Sequence, residues 1–366
     1  MPTQDLTDFI EQVTGESHLR VEDDLGDGFV VLKVSEAERR QARHDVRSTE
    51  DIVIEMLRNA RDAHARHIFL ATSKEGNDRR LTMIDDGDGI PQHMVKRIFD
   101  ARVTSKLDSV HIDTWGVHGR GMALYAVRLN SKAASVVATK LGGGTSFVIE
   151  TDTTKLPEKV DQSSMPSFLL NESGTVVVRG TRNVNRIVAE FAYVDKENCS
   201  VYLGSPVEIA ATLWEFGCAL LPTSTRAFCE NPEEIDVCKR LALASDPSGF
   251  SALASSIGLE LSERSARRIM DGEIASLAPF VESLNVQKPT SNAKKPKKRG
   301  AKEIAQLSNA PGLKLSNSEK NQLASALREA FEPLAESYYL NPEVEVLVTV
   351  RNGAIHLSIP LDESSR

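Results

Sequence analysis

Three polar side chains at helical spacing carry the first chemical suggestion in this chain: Glu55, Asn59 and Asp62. At about 100° per residue they share one narrow stripe, opposite the apolar residues Val53, Met56, Leu57 and Ala60. The stripe offers a carboxylate that can accept a proton and an amide oxygen suited to a hard cation, although any solvated helix face has the same look. A strand over Leu81 to Ile84 then runs into Asp85-Asp86-Gly87-Asp88-Gly89-Ile90-Pro91. A carboxylate at a strand end can accept a hydrogen bond from the exocyclic amine of a purine, and glycines allow the backbone to approach a ligand closely. A calcium loop is the competing reading, but the later ligands of an EF-hand are not placed here. A plain acidic turn is the other.

Two glycine-rich pieces follow. Gly116-Val117-His118-Gly119-Arg120-Gly121-Met122 leads into an apolar helix, and a loop feeding a helix N-terminus presents unpaired amides and a favourable dipole to phosphate. No GKS or GKT follows it and no strand feeds it directly, so it is neither a Walker loop nor a dinucleotide fingerprint. Gly142-Gly143-Gly144-Thr145 opens a strand and, taken alone, is a hairpin turn.

The elements that must position these residues can be read from periodicity. From about Gly26 to Gly204, β-rich runs alternate with amphipathic helices, which predicts an α+β domain. Strands are expected over 29–34, 67–73, 80–85, 135–140, 145–151 and 174–180, several joined by short turns, so the sheet should be antiparallel or mixed. Ser48 and Asp51 form a capping box at the start of the helix that bears Glu55. From Pro206 to about Leu284 the pattern becomes helical, punctuated by Pro222, Pro232 and Pro247. Residues 285–302 hold seven basic residues, among them Lys294, Lys295, Lys297 and Lys298, and no acidic one, as expected of a flexible linker. A helix near Ser318 to Ser337 and a hairpin turning at Asn352-Gly353 complete the chain. The expected division is 1–205, 206–284, 285–312 and 313–366.

Composition narrows the classes. The chain has 366 residues, 40 % of them apolar, and a net charge of -8, which excludes a wholly basic nucleic-acid coat or a uniformly disordered chain. No apolar run approaches the roughly 20 residues of a membrane span, since Glu208 and Glu215 interrupt the best candidate. Residues 1–12 lack the basic-then-apolar pattern of a signal peptide. Four cysteines without CxxC spacing suit reduced thiols, so a cytoplasmic protein is expected.

An acid-x-x-x-Asn helix, a strand ending in DxGxG, a long polar segment, GxxGxG before a helix and GGGT before a strand, in this order, resemble the GHKL superfamily of Bergerat-fold ATPases. That superfamily includes gyrase B subunits, MutL proteins, the ninety-kilodalton heat-shock chaperone and histidine kinases. The resemblance covers about Asp51 to Asp152. It implies a Bergerat-type α/β sandwich, a mixed sheet with helices on one face, followed here by a helical segment and a small α-β-β tail. It implies ATP and Mg as ligands: Asn59 for the metal, Glu55 as the base that activates water, and Asp62 and Ala63 beside the nucleotide. Asp85 would hold the adenine amine, with Gly87, Gly89, Ile90 and Thr145 around the base. Gly116, Val117, His118, Gly119, Arg120, Gly121 and Met122 would wrap the phosphates, and Ala101 to Asp113 would be a lid whose Thr104, Ser105 and Lys106 are similar to the TSK of MutL-like lids.

Glu-Met-Leu-Arg-Asn-Ala-Arg-Asp-Ala is similar to the hydrolytic gyrase and MutL branch, whereas histidine kinases commonly place an Asn where Glu55 stands. An ATPase acting on DNA or a partner protein, with homodimerisation as in relatives, is therefore expected ahead of a kinase-like signalling component or a non-hydrolysing, nucleotide-sensing DNA-binding regulator. A helix-turn-helix resemblance over 250–272 would put Arg264, Arg267 and Arg268 on an exposed helix, with Ala254 and Gly258 at tight-packing positions. A plain helical hairpin is the alternative. The lysine run would add sequence-independent phosphate affinity.

Overall fold

The computed structural model describes residues 21–33, 36–104, 111–113, 116–118, 121–170, 176–284, 286–287 and, near the C-terminus, 324–328, 331, 335, 341, 346–351 and 354–359. Its strands are β1 (Val21–Gly26), β2 (Phe29–Leu32), β3 (His67–Glu75), β4 (Asp78–Asp85), β5 (Val103–Thr104), β6 (His111–Asp113), β7 (Gly116–His118), β8 (Ala133–Thr139), β9 (Thr145–Asp152), β10 (Ser167–Leu170), β11 (Val176–Arg179), β12 (Ser200–Gly204), β13 (Val286–Gln287), β14 (Leu347–Arg351) and β15 (Ala354–Ser358). The α-helices are α1 (Glu36–Asp45), α2 (Thr49–Asp62), α3 (Ala123–Asn130), α4 (Val184–Val194), α5 (Pro206–Leu220), α6 (Thr223–Phe228), α7 (Pro247–Ser256) and α8 (Glu263–Met270). The chain divides into two compact units, 1–289 and 290–366.

The centre of the first unit is a five-stranded sheet in the order β12-β3-β4-β9-β8. Only β12 runs parallel to its neighbour; the other pairs are antiparallel, as the short turns required. Side chains alternate across this sheet. On one face Ile68, Leu70, Leu81, Met83, Phe147 and Ile149 join a core with α2, α3 and α4. On the other, Phe69, Ala71, Ile84 and Ala138 pack with Ile209, Leu213, Phe250, Ala254 and Ile257 of the 206–270 segment. Burial on both faces accounts for the near-continuous apolar run Ile68 to Ala71.

The mixed α/β sandwich is thus present, and the helical stretch 206–284 lies on the sheet within the same unit rather than beside it. Its attachment is polar as well as apolar. Thr82 Oγ1 donates to the Gly258 carbonyl at 3.0 Å and Ser146 Oγ to the Ile257 carbonyl at 2.7 Å. Gly258, at φ +85°, comes so close to the sheet that a Cβ there would lie 2.4 Å from Val148 Cγ2. Its tight packing is therefore against the sheet.

Smaller sheets surround this body. The hairpin β1-β2 continues into β5, through Val30 opposite Thr104 and Val31 opposite Val103. Strands β11-β10-β13 form another sheet. In the second unit, β14 and β15 pair antiparallel, and Phe331, Ala335 and Ile359 pack together. All four cysteines are free, and no helix among the described residues is long and apolar enough to cross a membrane.

Candidate nucleotide site

The helix that carries the polar stripe is strongly specified at its start. The Ser48 side chain accepts from the Asp51 amide while Asp51 Oδ2 accepts from the Ser48 amide, a reciprocal cap that satisfies two otherwise orphaned donors. Ile52, Val53, Met56 and Leu57 are buried on its inner side, which turns Glu55, Asn59 and Asp62 toward a cavity of about 170 Å³. Ala63, Asp85, Gly89, Ile90, Thr104, Gly121 and Thr145 line the same cavity. Ten of the expected site residues thus meet in one place.

Backbone contacts lock the acidic loop to the end of α2. Asp88 N–H donates to the Ala63 carbonyl at 2.8 Å, and a Cβ on Gly87 would fall 2.4 Å from that same oxygen. Gly87 is accordingly needed for close packing under the loop and does not itself line the cavity. The loop's flanking acids are tied back. Asp86 accepts from the amides of Arg66 and His67 and from the His67 ring, each at 2.7 Å. Burial alone would raise the Asp86 carboxyl, but these hydrogen bonds hold it below the usual carboxylate range. Asp88 pairs with His64 at 2.8 Å.

Asp85 differs from both. It is 3 % exposed and accepts from the Gly87 amide at 3.0 Å. Desolvation pushes its pKa up to about 7; the Gly87 amide opposes that rise and the nearby Asp86 charge adds to it. The β4–β9 register places Asp85 directly opposite Thr145. A carboxyl and a hydroxyl-bearing residue at one end of two paired strands can read a polar purine edge, with Ile90, Ile98 and Phe147 supplying apolar walls.

At the other end, Glu55 Oε1 takes a hydrogen bond from Arg58 Nη1 at 2.5 Å. Arg58 is 4 % exposed and lines the cavity. The sequence reading passed over it, though helical spacing sets it only about 60° from Glu55. Asn59 Nδ2 is buried without a hydrogen-bond partner. Such a carboxamide has capacity to spare for a ligand, and its oxygen is of the hard type that magnesium takes. Among the described residues no cluster of three or more His, Cys, Asp or Glu side chains could hold a metal on its own. That donor set fits an ion that keeps water and phosphate ligands.

Phe29, Val103 and Leu124 were also missed as lining residues. Phe29 comes from β2, which sequence spacing places far from the other boxes; only the β2–β5 pairing brings it in. The base of the expected lid is closed by Arg102 N–H to the Gly121 carbonyl at 2.9 Å, and the Arg102 side chain pairs with Glu38 of α1. Gly116–His118 pair with His111–Asp113 as a short hairpin, so part of the expected phosphate loop is strand. Met122 precedes α3 as its N-cap and is not a lining residue. Ser105, Lys106, Gly119, Arg120 and the lysines 294, 295, 297 and 298 lie outside the described residues.

Arg264, Arg267 and Arg268 are exposed on α8 and take no part in the cavity. Arg268 pairs with Glu273 at 2.9 Å. Glu260, Glu263, Asp271 and Glu273 stand against the three arginines, so this surface carries no net positive charge.

Comparison with known proteins matches residues 44–155 to the family of histidine kinase-, DNA gyrase B- and HSP90-like ATPases. The DNA mismatch repair protein MutL of Halalkalibacterium halodurans is 37 % identical over 103 residues, which are 27 % of this chain and 16 % of that protein. MutL of Thermus aquaticus is 39 % identical over 100 residues, 26 % of this chain and 18 % of that one. The chain thus spans less than a fifth of the length of these relatives. Among solved structures, full-length ShkA in complex with AMPPNP aligns over 55 % of this chain and 44 % of its own at 17 % identity; its TM-score of 0.22 carries no argument.

Proposed function

With residues 44–155 forming a GHKL-type ATP-binding domain, we propose that the protein is a magnesium-dependent ATPase whose nucleotide state moves the 101–113 segment and so controls a DNA or protein partner. One observation carries the reading: Glu55, Asn59, Asp85 and Thr145, from a helix and two strands, face a single cavity. Asp85 accepts the adenine amine, while the close approach of backbone at Gly89 leaves room for the base. Asn59 holds the magnesium through its carboxamide oxygen. Bound there with the triphosphate, the ion would neutralise phosphate charge during in-line attack. Glu55 takes the proton of the attacking water, with Arg58 fixing its rotamer through Oε1.

The Glu55–Arg58 pair also favours a second reading, a sensor that binds ATP without turnover, because a carboxylate held by a guanidinium is a weaker base. Phosphate release from ATP by the full chain, with and without magnesium, separates the two. For the ATPase, the wild type turns over, and Glu55→Ala binds ATP but releases phosphate at least about 100-fold more slowly. Binding without release supports the sensor. No ATP binding by the wild type refutes both.

A further inference from the structure

The cavity wall that bears Asp85 and Thr145 is gripped from outside by residues 235–240, well beyond the 44–155 stretch that matches the ATPase family. Asp236 Oδ1 takes the Lys140 ammonium at 2.7 Å and Oδ2 the Lys239 ammonium at 2.8 Å. The next residue, Val237, donates its N–H to the Gly143 carbonyl at 2.8 Å. Gly143 fits so tightly under this clamp that a Cβ there would lie 2.8 Å from Asp236 Oδ1 and 2.7 Å from Lys140 Cδ.

The clamped turn is interlocked with the acidic loop on its inner side. Gly142 N–H donates to the Asp88 carbonyl at 2.6 Å, and Ile90 N–H to Thr139 Oγ1 at 2.8 Å. Cβ atoms built on Gly89 and Gly144 would each fall 2.0 Å from a carbonyl oxygen of the opposite loop, Lys140 and Asp85 respectively. Backbones this close move together. A displacement of the 142–144 turn must therefore shift the end of β4, where Asp85 sits, and the start of β9, where Thr145 sits.

We propose that Asp236 is a positioning residue for recognition of the purine base: by clamping the Gly142–Gly144 turn it sets the spacing of Asp85 and Thr145, so that a segment outside the ATP-binding domain determines selectivity for the 6-amino group. The inference rests on the nucleotide reading above. Adenine and hypoxanthine differ at that group, which makes the inosine nucleotide the informative probe. A site built to accept an N–H discriminates against an analogue lacking it, and loses that discrimination when its acceptor is displaced.

The test titrates the full chain with ATP and with inosine triphosphate, for the wild type, Asp236→Ala and Lys140→Met, with thermal melts confirming that each is folded. The wild type prefers ATP. Both variants weaken ATP binding about tenfold while inosine triphosphate changes less than about twofold, so the preference collapses. Equal weakening of both nucleotides, or no change in either, overturns the proposal, as does a wild type that binds both equally. A wild type that binds neither fails earlier, by removing the nucleotide reading itself.

Discussion

Replacing Asp85 by Asn should make the protein more stable and worse at binding ATP. The carboxyl is buried, and its pKa rises from 3.8 to about 7 chiefly because burial disfavours the charge. Between those two values the unfolded chain has lost the proton and the folded one keeps it, so the folded state binds more protons and stability falls as pH rises. At about 1.36 kcal/mol for each pH unit, the step comes to about 4 kcal/mol as an upper bound, complete by about pH 8 and absent at about pH 4. Asparagine has the same shape and can still accept from the Gly87 amide, yet carries no charge to desolvate. Urea unfolding of both proteins at pH 4 and pH 8 should therefore give similar midpoints at the low pH and a clearly higher one for Asp85→Asn at the high pH. ATP affinity should move the other way, by about 10- to 100-fold, because one acceptor for the base amine is replaced or turned away. A stability difference that does not depend on pH would refute the account of Asp85. So would a gain in stability with ATP affinity intact, since the strain would then have no part in the site.

Gly89→Ala should lower stability by at least about 2 kcal/mol and abolish ATP binding, because φ is +74° and a Cβ would lie 2.0 Å from the Lys140 carbonyl; urea midpoints and an ATP titration check both parts. Gly258→Ala, whose Cβ would meet Val148 at 2.4 Å, should lower stability by about 1–3 kcal/mol through the sheet to which it is attached. An unchanged urea midpoint would mean that the 257–258 turn is not held against the sheet as described.

Much of the site was legible because its signals are local. A capping box, an i, i+4 pair of Glu55 and Asn59, and glycines at turns follow from rules that act over a few residues, and the structure has the cap, the helix face and the turns. The strands over 67–75, 78–85 and 145–152 are likewise marked by β-rich runs bounded by turn residues. The short strands β1, β5, β10 and β12 were not marked in this way. Each has only two to six residues, and pairing partners decide whether so short a run is strand at all.

The sequence by itself determined which residues carry chemistry and on which face of α2 they stand, since helical and strand periods are properties of the local chain. The tertiary structure alone decided that Asp85 faces Thr145, that Phe29 and Arg58 line the cavity, and that the helical stretch 206–284 packs on the reverse of the strands that hold the base. It also decided that Gly258 packs against the sheet. Register between strands, burial of a carboxyl and the fit of a glycine against a distant carbonyl depend on contacts across tens to hundreds of residues, and no local period encodes them.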